Sequence, residues 1–286
     1  IMLAFEAGQK SVEICWLPAY HDMGLVGGIL VPMYIGRPVV LMSPMSFLQK
    51  PIRWFKTISH YSGTTCGGPN FAYQLCVDKI ADEELQGVDL SSWTTAFNGA
   101  EPIRAATLRQ FAERFHSSGF SFSAFLPCYG MAETTLIVTG GPQPEPPVIQ
   151  AFDGKQLDIG RVAACSAEIA DARELVGSGE ILPGEEVLIV DSDSMQPLES
   201  DRIGEIWVRS PSVGLGYWER EQETEDVFGA MTSTGLGPFL RTGDLGFIFE
   251  GQLYVAGRIK DIIIVRGVNR YPQDIEQTVE QAHPLI

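Results

Sequence analysis

This sequence has few positive charges, no closely spaced cysteines and no long uninterrupted apolar run. Its 20 Lys and Arg residues are outnumbered by 36 Asp and Glu residues, giving a formal net charge of -16. Nucleic acids and anionic membranes repel so acidic a chain, which excludes a broad surface for either. The longest uncharged apolar run, 23–36, contains Pro32 and is shorter than the ~20 residues that a membrane helix needs. We therefore predict no nucleic-acid partner and no membrane span.

The cysteines are odd in number and scattered, which excludes a metal or redox site built on a close cysteine pair. Small buried side chains in a reducing cytoplasm are their simplest role, so we expect a cytoplasmic protein. The composition, 45% hydrophobic and 20% charged, is that of a globular chain. The cysteines are Cys15, Cys66, Cys76, Cys128 and Cys165.

Short apolar runs alternate with segments of helical period from residue 12 to 140. This alternation is typical of an α/β fold with a layered, mostly parallel sheet. Helices are predicted after Pro51 and around Leu108, with Gly63 and Gly119 as their stops. The predicted strands are 12–17, 38–42, 63–67, 94–98 and 122–126.

The pattern changes after Gly140, where several prolines interrupt the chain. A polar, Ala-rich stretch without a clear period follows, and we interpret it as an insertion. From 185 to 257 the pattern predicts β-strands, and the last two strands of this stretch are predicted to form a hairpin around Glu250-Gly251. A charged joint, a strand at 262–265 and a helix beginning near Pro272 come next. The predicted β strands of this half are 187–190, 205–208, 246–249 and 253–256.

Three subdomains are predicted from these changes of pattern. Residues 1–175 form an α/β subdomain with an insertion at about 142–174. Residues 176–257 form a small β-barrel-like subdomain, and residues 258–286 begin an α+β C-terminal domain.

Five separated segments carry side chains suited to a nucleotide. The first three follow predicted strands, and ligands of parallel sheets bind beyond the carboxyl ends of strands. The segments are WLPAYHDMGL at 16–25, FNGAEP at 97–102, YGMAE at 129–133, RTGDLGF at 241–247 and GRIKD at 257–261.

Specific side chains in these segments suit specific parts of a nucleotide. Tyr129 offers a ring for stacking on a base, and Gly99 lets a flat ring approach the backbone. Glu133 can coordinate Mg²⁺, which takes only one or two protein carboxylates beside phosphates and water. Asp244 is an acceptor for a pair of ribose hydroxyls, whereas Met131 suits packing better than chemistry.

Each segment also has a purely structural interpretation. Asp22 can cap a helix beside an incidental histidine, and 97–102 can be a tight strand-to-helix turn. Asp244 can hold an Asx turn, and 257–261 can be a solvated linker. The order of all five segments, more than any one of them, favours a nucleotide site.

In this order the five segments resemble acyl-adenylate-forming ligases, the superfamily of acyl-CoA synthetases, luciferases and peptide-synthetase adenylation domains. The last segment extends the resemblance through GRIKDIIIVRGVNRYPQDIE at 257–276. The motif sequences most resemble those of fatty acyl-AMP ligases, which pass the acyl group to an acyl carrier protein or polyketide synthase. Ala132, where most of the superfamily has threonine, and the insertion favour this branch. In fatty acyl-AMP ligases, such an insertion is associated with failure to use free CoA.

The resemblance implies ATP-dependent activation of a fatty acid to fatty acyl-AMP, with Mg²⁺ and with release of pyrophosphate. Two alternatives remain: a long-chain fatty acyl-CoA ligase, and a non-catalytic nucleotide-binding module. The implied nucleotide contacts are Gly99, Ala100, Glu101, Tyr129, Gly130, Met131, Asp244 and Arg258.

Three further roles are implied by the same resemblance. His21 lies near the acyl carboxylate and the α-phosphate, and Glu133 holds Mg²⁺. Lys260 is the hinge about which the small C-terminal domain turns.

Both ends of the sequence predict a piece of a longer protein. Ile1-Met2 is neither an initiator nor a signal peptide, and 283–286 stop soon after an amphipathic run begins. The family's Ser/Thr/Gly-rich phosphate loop is expected upstream of 16–25, but residues 1–15 contain no such run. Its catalytic lysine is expected deep in the C-terminal domain, beyond the 29 residues (286 minus 257) that this sequence holds of it.

We therefore expect the 286 residues alone not to catalyse adenylation. Two missing electrostatic contacts, each worth on the order of 3 kcal/mol, multiply into a very large loss of rate. ATP–pyrophosphate exchange by the purified chain should equal that of a protein-free control. Exchange above that control contradicts the prediction.

Overall fold

A computed structural model describes residue 5 and residues 11–141, 145–265 and 268–282. The chain divides into two units, of which the first comprises residues 1–148 and 178–182. The second comprises residues 149–177 and 183–286. The subdomain boundaries predicted from sequence stay a prediction.

Strands in the described residues are numbered in chain order. They are β1 Glu13–Cys15, β2 Val39–Leu41, β3 Thr65–Gly68, β4 Thr95–Asn98, β5 Phe125–Pro127, β6 Thr139–Gly140, β7 Ile149–Asp153, β8 Ala172–Val176, β9 Glu180–Ile181, β10 Glu186–Val190, β11 Gly204–Arg209, β12 Leu240–Phe249, β13 Gln252–Arg258, β14 Ile263–Val265 and β15 Val268–Arg270.

The α-helices are α1 Val31–Ile35, α2 Pro44–Gln49, α3 Ile52–Tyr61, α4 Asn70–Lys79, α5 Ala105–Phe115, α6 Gly154–Asp158, α7 Glu221–Phe228 and α8 Pro272–Ala282. A π-helix spans Met23–Leu30, and single turns of 3-10 helix lie at Asp82–Leu85, His116–Ser118, Phe122–Ala124, Ala132–Thr134 and Ile259–Asp261.

The first unit contains a parallel sheet in the order β2-β1-β3-β4-β5. This confirms the α/β fold class. All five predicted strands are present, but the last begins at Phe125, because Ala124 N donates to Ser121 O in a 3-10 turn. Strands β6 and β9 of the same unit pair antiparallel.

Aromatic side chains form the core on which helices α3, α4 and α5 pack. Trp54 and Trp93 have ring centroids 4.9 Å apart, and Phe111 and Phe115 lie 4.8 Å apart, edge to face. All four are essentially buried. Burial of each such side chain stabilises the fold by roughly 1.5–3 kcal/mol, so the strand ends are rigidly held.

Helix α3 ends one residue earlier than the sequence indicates. Ser62, at φ 50°, is the left-handed C-cap, and the predicted stop at Gly63 is wrong. Gly63 is required for a different reason, because a Cβ there would meet Ile14 Cγ1 at 2.5 Å. The other predicted stop is confirmed, since Gly119 adopts φ 93° after α5 and its 3-10 turn.

The second unit contains an antiparallel meander in the order β10-β11-β12-β13. The predicted hairpin is confirmed, and both turn residues, Glu250 at φ 49° and Gly251 at φ 81°, suit a two-residue turn. Strand β12 begins at Leu240, well before the predicted start, because its first half pairs with β11. Closure of these strands into a barrel stays a prediction.

Regular structure also occurs at 149–176, where the sequence shows no period. Strands β7 and β8 pair antiparallel, and Asp153 caps the helix α6 between them. Phe152 is fully buried and packs edge to face on Phe247 and Tyr254. Farther along, β14 and β15 pair antiparallel, and α8 begins at Pro272 as predicted.

The cysteine thiols are free, and three of them lie in the core of the first unit. Burial raises the pKa of Cys15 to about 11 and that of Cys128 to about 12, so both thiols are unreactive near neutral pH. Within the described ranges, every helix is too short or too polar to cross a bilayer.

Candidate functional site

The carboxyl edge of the parallel sheet gathers three of the five motifs. Strands β1, β4 and β5 run in the same direction in one sheet, so the loops that follow them lie along one edge. His21 lies in the loop after β1. The segment 99–101 follows β4, and 129–133 follows β5. The sheet therefore brings the motifs to the edge where parallel-sheet ligands bind.

The loops after β4 and β5 are in direct backbone contact. Cys128 N donates to Asn98 O at 2.9 Å, which continues the parallel pairing by one residue. A Cβ at Gly99 would lie 2.7 Å from Cys128 O. Only glycine fits between the two loops, so the small residue of FNGAEP serves this contact as well as any ligand.

The turn after β4 contains a strained residue and a helix cap. Ala100 adopts φ 68°, which non-glycine residues rarely do and which recurs at functional sites. Glu101 Oε1 accepts a hydrogen bond of 2.5 Å from Phe71 N in the first turn of α4. A carboxylate is favourable at a helix N-terminus. The side chain of Glu101 thus has a structural role beside its predicted binding role.

Tyr129 begins a loop that closes on itself. Tyr129 N donates to Thr139 O at 3.1 Å, and Val138 N donates back to Tyr129 O at 2.8 Å. Inside this loop, a Cβ on Gly130 would lie 1.8 Å from Leu136 O. The loop from Tyr129 to Thr139 is therefore narrow, and the Tyr129 ring is largely buried at its base.

Glu133 lies at the tip of this loop, on the 3-10 turn, with a partly exposed side chain. Thr134 Oγ1 donates to Met131 O at 2.9 Å, which fixes the turn. Thr135 adopts φ 70° and ψ -52°, and Leu136 N donates to Thr134 O at 2.9 Å. This is a γ-turn of the rare positive-φ type, and a β-branched residue at its centre is strained.

The γ-turn directs the chain into the core after Glu133. Leu136 and Ile137 form a buried cluster with Met23 and Val26 of the π-helix that follows His21. The segments carrying His21 and Glu133 therefore share packing contacts, in addition to their common sheet edge.

His21 is half-exposed and is oriented by its neighbour. His21 Nδ1 lies 2.6 Å from Asp22 Oδ1, and it accepts a hydrogen bond from Met23 N at 3.3 Å. Asp22 Oδ1 also accepts from Met23 N at 2.7 Å. The capping interpretation of Asp22 is therefore confirmed, and the same carboxylate positions the imidazole.

The remaining predicted residues lie in the second unit. Asp244 on β12 faces Arg258 on β13 in the strand register, and Arg258 Nε donates to Asp244 Oδ1 at 3.0 Å. Asp244 is buried, whereas the Arg258 side chain is 55% exposed. Lys260 is exposed on the 3-10 turn that follows β13. The structure thus brings the side chains of Asp244 and Arg258 into contact, and their predicted ligand roles stay a prediction.

A buried ion pair behind Asp244 was not anticipated from the sequence. Glu205 on β11 is 2% exposed, and it accepts from Arg241 Nη2 at 2.7 Å and from Gly243 N at 3.2 Å. The available signal was a glutamate at a core position of an otherwise apolar strand, Ile206 to Val208, with an arginine in the RTGD motif. Buried carboxylates are rare unless paired.

Known proteins are similar to this chain over nearly its whole length. A family model described as AMP-binding enzyme matches residues 2–218. The chain is 44% identical over 281 residues to a medium-chain-fatty-acid–[acyl-carrier-protein] ligase of Moorena producens, covering 97% of this chain and 48% of that protein. It is 40% identical over 273 residues to a long-chain-fatty-acid–AMP ligase of Mycobacterium bovis, covering 94% of this chain and 47% of that protein.

A solved structure is similar over the same extent. It is a fatty acyl-adenylate ligase from L. pneumophila in complex with acyl adenylate and pyrophosphate, with a TM-score of 0.88 and 45% identity. The match covers 99% of this chain and 50% of that one. The chain thus spans about half the length of the relatives that it matches.

The narrow loop after Tyr129 should not tolerate a side chain at Gly130. Gly130→Ala should lower the free energy of unfolding by about 1–3 kcal/mol, because the new Cβ displaces the Leu136 backbone. Gly27→Ala is the matched control, since its Cβ would meet the same residue at an ordinary 3.5 Å. Urea denaturation should show the loss for Gly130→Ala alone, and equal stability of the two variants contradicts the prediction.

Proposed function

This chain belongs to the AMP-binding enzyme family, and we propose that the protein activates a fatty acid with ATP for transfer to an acyl carrier protein. The products of activation are fatty acyl-AMP and pyrophosphate. The observation that carries the proposal is the match of 94–99% of the chain to ligases named for this chemistry. The gathering of His21, Tyr129 and Glu133 along one sheet edge supports it independently.

The adenine is proposed to lie against the two contacting loops after β4 and β5. Gly99 and Ala100 carry no large side chain of their own, and Tyr129 supplies a ring. Glu101, Gly130 and Met131 complete the proposed surface around the base. Asp244, held by Arg258, is proposed to accept hydrogen bonds from the ribose hydroxyls. A buried carboxylate with a fixed cationic partner is suited to this task, since its orientation is set before the ligand arrives.

The activation step needs positioning more than covalent help from the protein. A carboxylate oxygen of the fatty acid attacks the α-phosphorus in line, forming the acyl–phosphate bond, and the bond from the α-phosphorus to pyrophosphate breaks. His21 is proposed to lie beside the carboxylate and the α-phosphate. Its Nδ1 lies against Asp22 Oδ1 and Met23 N, so Nε2 is the nitrogen proposed to face the substrates. The apolar segment 23–34 beyond it is a candidate wall for the acyl chain.

Magnesium fits the residues at the loop tip. In the described part of the chain, no cluster of three or more His, Cys, Asp or Glu side chains could hold a metal by itself. Mg²⁺ does not require one, because it binds through one or two carboxylates together with substrate phosphates and water. Glu133, partly exposed on a turn fixed by Thr134, is proposed as that carboxylate. When bound, the ion neutralises charge on the phosphates.

Transfer of the acyl group is proposed as the second half of the reaction. The thiol of a carrier's phosphopantetheine arm attacks the acyl carbon, a thioester forms and AMP leaves. An acyl carrier protein or a polyketide synthase presents such a thiol. Lys260 is proposed as the hinge for a rearrangement between the two steps, in keeping with its exposure two residues beyond Arg258. The free cysteines favour a cytoplasmic setting.

Two alternatives are separated from this proposal by their products. A fatty acyl-CoA ligase forms the same adenylate but transfers the acyl group to CoA. A non-catalytic binding module forms neither product. Ala132 and the insertion at about 142–174 favour the carrier-protein acceptor over CoA.

The acceptor can be identified by offering both thiols to one enzyme. The complete protein, given fatty acid and ATP, should acylate holo acyl carrier protein and form little acyl-CoA. Mass spectrometry of the carrier and chromatography of the CoA fraction measure the two products. Apo carrier, which lacks the thiol, is the control. Abundant acyl-CoA supports the CoA ligase, and absence of pyrophosphate release supports the binding module.

Replacement of Glu133 should impair activation with little effect on folding. Glu133→Gln should slow ATP–pyrophosphate exchange by the complete protein by roughly 10²–10³-fold, the cost of one lost electrostatic contact in a transition state. Its Mg²⁺ requirement should rise, because the amide is a weaker ligand. Glu113→Gln, on the exposed face of α5, is the control and should retain full exchange. Wild-type exchange by Glu133→Gln contradicts the assignment.

A further inference from the structure

We propose that Glu205 is a positioning residue for the ribose-binding carboxylate, because it fixes the segment 241–244 that presents Asp244. The inference rests on the proposed function, in which Asp244 binds the ribose hydroxyls. Glu205 lies on β11, outside all five motifs. Its role follows from its burial and from its hydrogen bonds.

The segment 242–244 is an irregularity in the sheet. In the register of β11 with β12, Glu205 faces Leu245, and Trp207 faces Arg241. Three residues of β12 therefore stand opposite the single residue Ile206, which is a β-bulge. Bulges disrupt the regular ladder and redirect side chains, and they are over-represented next to active sites. The segment must therefore be held by other bonds.

Side chains supply those bonds. Thr242 Oγ1 donates to Ile206 O at 2.7 Å and accepts from Asp244 N at 3.1 Å. Gly243, at φ 71°, donates its N–H to Glu205 Oε1 at 3.2 Å. The bulge is thus anchored to β11 at two points, of which one is the Glu205 carboxylate.

Glu205 also anchors the residue before the bulge. Arg241 Nε and Nη2 donate to Glu205 Oε2 at 3.0 Å and 2.7 Å, and the Arg241 guanidinium lies over the Trp207 ring, 5.5 Å from its centre. A carboxylate that is 2% exposed is costly to bury unless it is paired. Here both oxygens accept bonds from 241–243, so the carboxylate holds the two sides of Thr242 together.

The consequence reaches Asp244 through the backbone. Asp244 is the last residue of the bulge, and it faces Arg258 on the other side, where Arg258 Nε donates to Oδ1. Without the Glu205 anchor, Thr242 is the remaining side-chain link from the bulge to β11 among the hydrogen bonds described. Asp244 then loses part of the support that fixes its direction, although its carboxylate and its partner Arg258 are unchanged.

The preference for ATP over a nucleotide without ribose hydroxyls measures the orientation of Asp244 separately from the stability of the fold. The complete protein is titrated calorimetrically with ATP and with 2′,3′-dideoxyATP, which lacks both ribose hydroxyls. The wild type should prefer ATP by about 10- to 100-fold, the value of hydrogen bonds to a charged group. Asp244→Asn should abolish most of this preference. Glu205→Leu should do the same, while the Kd for the dideoxy nucleotide stays within about threefold of the wild type.

Glu186→Leu is the matched control. Glu186 on β10 forms a cross-strand ion pair with Arg209 on β11, but it makes no contact with the bulge in the hydrogen bonds described. This variant should keep the wild-type preference for ATP.

Three results decide the matter. If Glu205→Leu keeps the wild-type preference, or weakens both nucleotides equally, the positioning role is wrong while the proposed function stands. If the wild type shows no preference for ATP, or if Asp244→Asn keeps that preference, the ribose assignment of Asp244 is wrong and the inference that rests on it is wrong too.

If Glu205→Leu does not fold, Glu205→Gln replaces it. The amide oxygen can bind either Gly243 or Arg241, so the preference should fall partway, and an unchanged preference overturns the proposal.

Discussion

The parallel pairing of β4 with β5 is the constraint on which the candidate site depends. Their register pairs Asn98 with Pro127, and Cys128 N then donates a hydrogen bond to Asn98 O. This bond brings the residues that follow the two strands into contact. That contact admits only glycine at 99 and brings the turns after the two strands together. Because the strands are short and buried, the aromatic core beneath them sets the position of these turns. The positions of the groups proposed to act at this edge thus depend on the packing of the core.

In two of the motifs, a structural role and a proposed binding role are compatible. Asp22 caps the π-helix, and the same oxygen lies 2.6 Å from His21 Nδ1. Glu101 caps α4 from within the motif predicted to line the base. A side chain that completes a helix end is held in one place, which is also what a binding group needs. Structural and functional roles therefore reinforce each other here.

Much of the fold, and less of the site, follows from the sequence. Strand ends could be placed because apolar runs stop at polar motifs, and the hairpin turn could be placed because Gly251 readily adopts the positive φ of a two-residue turn. The positive φ of Ser62, Thr135 and Glu250 could not be placed, since none of these residue types favours it. Tertiary contacts impose these conformations. Glu205 was missed for a related reason, because its partners are distant in sequence and only the bulge brings them together.

The position of Arg258 affects how the proposed acyl-AMP intermediate is retained. Arg258 is the last residue of β13, bound to Asp244, whereas the exposed joint begins directly after it. In the proposed function, a rotation about Lys260 leaves the contacts of Asp244 and Arg258 with the ribose in place, because both residues precede the proposed hinge. The proposed mixed anhydride hydrolyses once it is released into water. A ribose contact that does not move with the hinge would keep this intermediate bound during the rearrangement, so that little of it is lost to hydrolysis.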